Sequence, residues 1–435
     1  MKALKFGGSV LRRALGFEGL RSALALSKET SCVIIVSALG KTSRRIEAAA
    51  RLAEAGKLDE AKSSVSAILY EHEALAAEAI TFGDTLEDVK LELRERCKKL
   101  ERILESIAIV NQLTPRTRDL ALSYGERLSL AIVAGYLSEL KSDFLQFDAT
   151  EIIRTDSNFG AASPDYEATL ENVRAKMLPA FEKCNLALIQ GFIGADAQGE
   201  VTTMGLESSN LTAALLADCL EADEIRIFTD VAGIRSADPK LVSRTKSIEF
   251  MDYDSAYVAA LSGLKLIYPK MIDYARRKNI RVTFLNGESE DAEQTVINRF
   301  DRIILHPIII TTPGVTVFDF KRNALPAETL CSATENADFS ISIQADKARI
   351  ISKNPLFSPE QAFNGLEYTS KKMDLVKIIF LRHDRMIYLT DNFKSALGYV
   401  RPEYIEFDKL NGSVSILVEP NDIELIIKDL HKAVI

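Results

Sequence analysis

The chain alternates between two kinds of hydrophobic pattern. Up to about residue 295, short runs of β-branched and aliphatic residues end in glycine- and hydroxyl-rich turns, and each is followed by a longer stretch with helical period. Met1–Phe6, Cys32–Ser37, Asn185–Gln190, Glu224–Thr229 and Ile280–Asn286 are the main strand-like runs. CVIIVS (Cys32–Ser37) is apolar enough for a strand covered on both faces. Residues Leu58 to Leu140 are helical by period, with Glu92 and Arg96, and Glu95 and Lys99, paired at i, i+4 on the solvated face. Asp143–Phe147 and Glu151–Arg154 read as two short strands, and a polar turn from Thr155 to Tyr166 leads to a helix near Glu167–Leu178. GADAQG reads as a hairpin turn, with Glu200–Thr203 as its returning arm, and Leu211–Leu220 and Asp252–Gly263 read as helices. Strands alternating with helices predict an α/β fold: an open, mainly parallel sheet sandwiched by helices.

From about Arg302 the pattern changes. Pro307–Thr312, Ile341–Gln344, Val376–Leu381, Met386–Thr390 and Ser413–Glu419 are short apolar strands, and Asn421–Ala433 is a closing helix. Two α+β units of βαββαβ order fit this length. The expected division is 1–295 for the large domain and 302–435 for the smaller ones. A chain of 435 residues is in any case too long for one ordinary core.

Composition narrows the function classes. The chain is 47% hydrophobic and 27% charged, with a formal net charge of −8 and no marked segregation of basic residues, which argues against nucleic-acid or membrane-surface partners. Nowhere do 18 apolar residues follow one another, and the amino terminus lacks a basic region before an apolar core, so a cytoplasmic protein is expected. Cys32, Cys97, Cys184, Cys219 and Cys331 are scattered, without zinc or disulfide spacing, and read as reduced core residues.

The turns after the strands carry the candidate chemistry, because open α/β sheets bind ligands beyond the carboxyl ends of their strands. KFGGS (Lys5–Ser9) has two glycines that let backbone amides approach an anion, or it is an ordinary strand-to-helix turn. Ser37 and Gly40 end the next strand, and would share a phosphate cradle with Lys5 if the two strands are neighbours. SYGERLSL (Ser123–Leu130) has a glycine inside a helical pattern, which needs a packing or functional reason. By spacing alone, Glu126 and Arg127 are solvated surface charges. GFIG (Gly191–Gly194) is a Gly-rich loop, and Ser208, Ser209 and Asn210 introduce a helix either as plain caps or as an anion site. Asp230 stands at a strand end before Gly233, Asp238 and Pro239, a placement that suits the ribose or adenine side of a nucleotide, although lone loop carboxylates are usually solvated.

Ten phrases stand in order between Lys5 and Asn286: KFGGS, VSALGKT, SYGERLS, TDSNFGAA, GFIG, TTMG, TAALLA, TDVAGI, ADPK and SGLKLIYPK. Together they resemble the aspartokinase branch of the amino-acid kinase family, over about two-thirds of the chain. The resemblance implies the amino-acid kinase fold, followed by a pair of ACT-like regulatory domains that bind an amino-acid effector and make homodimer contacts. It also implies phosphoryl transfer from ATP with Mg2+ to the side-chain carboxylate of L-aspartate, as at the start of aspartate-derived amino-acid biosynthesis. Lys5 and Lys265 would flank the β and γ phosphates, with Asn210 at the family's catalytic aspartate position. Gly7, Gly8, Ser9 and Gly40 would hold phosphate; Ser37, Glu126 and Ser209 would face the amino acid. Thr229, Asp230, Asp238, Pro239 and Lys240 would hold the nucleotide, and no protein metal site is implied. A carboxylate is ionised at neutral pH and needs no general base, in keeping with His72, His306, His383 and His431 all lying outside the motifs.

One segment departs from the family's LGRGGSDYTA. Leu206 stands where the family has the arginine that resembles a clamp for the substrate α-carboxylate, Glu207 replaces a glycine, and Asn210 replaces the aspartate. Losing a charge-assisted bidentate contact costs about 1.5 to 3 kcal/mol. Arg44, Arg45 or Arg235 could compensate by reaching in. Two other readings follow from the departure: a kinase of the same fold acting on a different amino acid or small acid, and a non-catalytic subunit that senses an amino acid or nucleotide. Leu206→Arg combined with Asn210→Asp should raise turnover of L-aspartate in a coupled kinase assay, and a double variant with no gain would count against a weakened clamp.

Overall fold

The computed structural model describes residues 1–12, 14–205, 208–231, 233–264, 266–287, 294–299, 306–321, 339–343, 347–353, 359, 363, 365–379, 397, 402–408, 412–420 and 422–435. The chain forms two compact units: Met1–Gly233 with Lys270–Arg299, and Ile234–Pro269 with Phe300–Ile435.

In the first unit, β1 (Lys2–Phe6), α1 (Ala14–Ser27) and β2 (Cys32–Val36) precede four helices, α2 (Thr42–Glu54), α3 (Leu58–Ala79), α4 (Gly83–Val110) and α5 (Pro115–Glu139). Next come β3 (Leu145–Gln146), α6 (Ala149–Ile152), α7 (Tyr166–Asn172), a π-helical turn (Val173–Met177), α8 (Leu178–Phe181) and β4 (Leu186–Gln190). A hairpin of β5 (Ile193–Ala195) and β6 (Val201–Thr203) leads to α9 (Ser209–Cys219) and β7 (Glu224–Thr229). In the second unit the chain forms β8 (Ile234–Arg235), β9 (Ser247–Ile248), β10 (Phe250–Met251) and α10 (Tyr253–Leu261). It returns to the first through α11 (Pro269–Arg277), β11 (Arg281–Asn286) and β12 (Thr295–Ile297).

The strands of the first unit run in the order β12, β11, β7, β1, β2, β4, β3, all parallel except the β11–β12 pair. Every residue of β2 and β4 is buried, as the unbroken apolar run Cys32–Ser37 predicts for β2. Helix α9 is buried at every position and packs on β1, β2 and β7. Helix α5 is buried along most of its length. Its start is set by Thr114, whose hydroxyl accepts the Thr117 amide at 3.1 Å with Pro115 in the first turn.

One sequence expectation fails here. Glu151–Arg154 does not form a strand: Asp148 accepts the Thr150 amide at 3.0 Å and starts α6, leaving only an isolated bridge from Arg154 to Ala195. A capping aspartate outweighs the β-like residues that follow it.

The second unit continues with β13 (Ile308–Lys321), β14 (Phe339–Ile343), β15 (Lys347–Ser352), β16 (Tyr368–Ile379), β17 (Tyr404–Asp408), β18 (Ser413–Val418) and α12 (Ile423–Val434). These strands pair antiparallel in the order β14, β15, β13, β16, β18, β17. Strands β13 and β16 are far longer than the apolar runs suggest, because polar ends such as Lys371 and Lys372 continue the ladder. Gly314, at φ +70°, takes up a bulge between Thr312 and Val315. Met386–Thr390 lies outside the described residues. Among the described residues no helix is long and apolar enough to cross a membrane.

Two helices of the first unit meet at a glycine. A Cβ on Gly135 of α5 would lie 2.3 Å from Val89 Cγ2 on α4 and 3.0 Å from Ile80 Cδ1. Gly135→Ala therefore destabilises the protein by about 1 to 3 kcal/mol despite the better helix propensity of alanine. In a Val89→Ala background the same change is expected to lose that cost, which a double-mutant cycle in urea would measure.

Candidate functional site

The parallel order places β7, β1, β2 and β4 side by side, so the turns after them lie in one row. Lys5 and Phe6 of β1 pair with Ile35 and Val36 of β2, making the neighbours that a shared cradle requires. The two turns then lock together: the Gly40 amide donates to Gly8 O at 2.9 Å and the Ser37 amide to Phe6 O at 3.3 Å. A Cβ on Gly8 would stand 1.8 Å from Ala38 O, so only glycine fits there. Gly40 has φ +55°, again favouring glycine. Gly7 donates to Phe228 O on β7 at 3.0 Å, and a Cβ at Gly7 would be 3.5 Å from Lys5 Nζ and 3.7 Å from Ser9 Oγ. Thus the ammonium of Lys5 and the hydroxyl of Ser9 both lie beside the glycine turn.

The third turn brings in α9. Gly191 donates to Val36 O at 2.8 Å, and a Cβ there would press within 2.6 Å of Ser209 Cβ and 2.8 Å of its Oγ. The close approach seats the start of α9 at the end of β4. Phe192 follows at φ +69°, a strained conformation for an aromatic residue, held by its amide donating to Thr212 Oγ1 at 3.0 Å and its carbonyl accepting the Met204 amide at 3.0 Å. Ser208, Ser209 and Asn210 are all buried. Ser208 occupies the cap position, yet its hydroxyl makes no capping bond and Oγ has no hydrogen-bond partner. Plain capping does not explain this serine, whereas an anion at the helix start would.

Helix α5 supplies the opposite wall. A Cβ at Gly125 would be 3.0 Å from Ala38 Cβ and 3.2 Å from Ser43 Oγ, which is the packing reason for a glycine inside this helix. Glu126 beside it is buried, contrary to a solvated surface charge. Its Oε1 accepts the Ala38 amide at 3.3 Å, while Oε2 is buried without a partner, as is Ser37 Oγ. Burial pushes the Glu126 carboxyl up to about 8, against the opposing pull of its own backbone amide and then that of Ala38.

The remaining expected residues divide. Thr229 ends β7 and Asp230 follows it, with the Thr229 hydroxyl donating to Asp230 Oδ1 at 3.3 Å. Asp238, Pro239 and Lys240 belong to the second unit, in a turn where Asp238 Oδ1 accepts the Lys240 amide at 2.9 Å. Lys265, Leu206 and Glu207 lie outside the described residues. Of the arginines considered as substitutes, Arg45 pairs with Glu71, Arg235 holds Thr245 through its hydroxyl at 3.0 Å and its carbonyl at 2.6 Å, and Arg44 lies on α2 beside Glu47 and Arg51. Sequence reasoning missed Asp119, wholly buried on α5, because a carboxylate within a helical period reads as a surface charge.

A lysine and paired glycine turns thus stand at the ends of adjacent parallel strands, in the same row as a buried helix start, an arrangement whose chemistry suits an anion. The chain belongs to the amino acid kinase family, whose model matches residues 1–286. Within it, the chain is similar to aspartokinases: it is 26% identical to aspartokinase 3, chloroplastic, of Arabidopsis thaliana over 99% of this chain and 81% of that protein. It is 33% identical to the lysine-sensitive aspartokinase 3 of Escherichia coli over 48% of each. The solved structure of E. coli aspartokinase III in complex with aspartate and ADP covers 100% of this chain and 99% of its own at TM-score 0.87 and 23% identity, a match of fold.

The raised Glu126 carboxyl makes a stability prediction. Its ordinary value is 4.5, so between that and about 8 the unfolded chain binds fewer protons than the folded one, and stability falls as pH rises through this window. Glu126→Gln removes the penalty. The variant should gain on the unmodified protein from pH 5 to pH 8 in chemical denaturation, by on the order of 3 kcal/mol at pH 7, and an equal pH slope for both proteins would refute it.

Proposed function

We propose that this protein is an ATP-dependent kinase that phosphorylates the β-carboxylate of L-aspartate to an acyl phosphate. The observation that carries the reading is the buried pair of unpartnered polar atoms, Glu126 Oε2 and Ser37 Oγ, on adjoining walls of the glycine-lined turns. A carboxylate held out of water with one oxygen unsatisfied fits an ammonium group, and a hydroxyl beside it fits a second polar group of the same small ligand. The relatives named as aspartokinases, and the E. coli enzyme whose structure holds aspartate and ADP, support that identity of the ligands.

The acceptor carboxylate is already nucleophilic at neutral pH, so the chain's own groups have to align it and offset phosphoryl charge. Lys5 supplies a positive charge beside the Gly7–Gly8 turn, and Lys265 is assigned the same task by its motif. Gly7, Gly8, Ser9 and Gly40 offer small, close-approaching backbone and a hydroxyl to the phosphates, with Ser209 and Asn210 at the start of α9 facing the transfer. Thr229, Asp230, Asp238, Pro239 and Lys240 are assigned to the nucleoside side. Mg2+ brought in with the nucleotide would supply further positive charge to offset that of the phosphates. The antiparallel sheet and α12 of the second unit suit an ACT-like module for an amino-acid effector and for homodimer contacts.

Purified protein with MgATP, L-aspartate and hydroxylamine should yield aspartyl hydroxamate. If other acids outperform aspartate, the substrate assignment falls; if ATP and aspartate bind without turnover, the chain is a sensing subunit. The Glu126 carboxyl adds a second check. At pH 7 it is mostly protonated in the free site, and an ammonium partner favours the anion, so amino-acid binding should release about one proton. Calorimetry in two buffers of different ionisation enthalpy would show this, and proton uptake would contradict the role of Glu126.

A further inference from the structure

Asp119 is wholly buried on α5, two helical turns before Glu126 and on the same side of the helix. Its carboxylate collects three hydrogen bonds from two segments distant in sequence. Oδ2 accepts the amides of Gly160 and Thr203, both at 2.8 Å, and Oδ1 accepts the Thr203 hydroxyl at 2.8 Å. Arg118 Nη1 stands 3.9 Å from Oδ1, the other charge at hand, and itself pairs with Glu47 at 2.7 Å through Nε. The two segments are also tied to each other, since the Ala162 amide donates to Thr203 O at 2.9 Å and Gly160 O lies 3.9 Å from where a Cβ on Gly205 would stand. Gly160 and Gly205 both have φ +89°, so each turn holds a backbone shape that side-chain packing alone would not select.

We propose that Asp119 is a positioning residue for the acceptor wall: it fastens the Phe159–Gly160 turn and the end of β6 to the helix that carries Glu126, so that both keep a set distance from the glutamate. The proposal rests on the acceptor reading of Glu126 given above. A neutral amide holds the two segments more weakly. In Asp119→Asn the single oxygen can keep both backbone amides only with the NH2 turned toward the Thr203 hydroxyl, which must reverse to accept, and both amide bonds lose the assistance of the negative charge. The nucleotide side, built on the turns after β1 and β7, receives no bond from Asp119.

The test is a split of kinetic constants in the full-length protein, below the melting temperature of each variant. Asp119→Asn should raise KM for L-aspartate about tenfold or more and leave KM for ATP within about twofold. Thr203→Val, which removes only the hydroxyl bond, should move the same constant in the same direction by less. Folded variants in which both KM values are unchanged, or rise together, would overturn the positioning role. If Asp119→Asn does not fold, Thr203→Val decides by the same criterion. Glu126→Gln belongs in the same assay: an unaltered KM for aspartate there removes the acceptor reading and this inference with it, whereas a raised KM with no effect at 119 and 203 overturns this inference alone.

Discussion

The first unit depends on a backbone crossing that tolerates no side chain. Gly8 passes so close to Ala38 that a single added carbon would sit 1.8 Å from the carbonyl oxygen, and the Gly40 amide closes the contact at 2.9 Å on Gly8 O. A parallel sheet brings the ends of β1 and β2 together in any case, but strand pairing alone leaves the following turns free to diverge. The crossing removes that freedom. It holds Lys5 and Ser9 beside the Gly7–Gly8 turn, with the backbone of Ser37 bonded to Phe6 next to them.

Helix α5 acts as the ruler for the opposite wall. Gly135 lets α4 approach, Gly125 lets the turn after β2 approach, and between these contacts the helix has no room to shift. Its two buried carboxylates then serve different ends. Asp119 is satisfied three times over by the protein and orders backbone; Glu126 is satisfied once and keeps an oxygen for something else. Burial raises both, yet they differ in the number of donors around them.

The second unit shows how a loop of one motif can be fixed by residues far along the chain. Ala237 and Val242 join a core with Ile309, Val376, Ile416, Ile427 and Leu430. Ser236 beside Ala237 accepts the Lys246 amide at 2.8 Å and meets His431 Nε2 at 2.9 Å, while its carbonyl accepts the Ile309 amide at 2.8 Å. Burial, His306 and Lys246 all lower the His431 pKa, consistent with a neutral ring that accepts the serine proton. The turn from Asp238 to Lys240 therefore takes its shape from α12 and β13.

The order of strand-like runs and glycine turns, read from residue types alone, determined the α/β class, the buried strand β2, the β5–β6 hairpin and the identity of the turns that carry Lys5, Ser37, Gly191 and Thr229. These features are local: period, branching and glycine content act within a few residues. What the sequence could not express was which side of a helix faces inward when both sides are mixed. By spacing alone Glu126 and Asp119 both read as solvated charges, until packing at Gly125 and Gly135 buries that side of α5. Nor could it show that Ser208 leaves its cap unmade, that Glu151–Arg154 yields to the Asp148 cap, or that the Asp238 turn is built into the other unit. Most of these turn on contacts between residues tens or hundreds of positions apart, and such contacts exist only once the chain has folded.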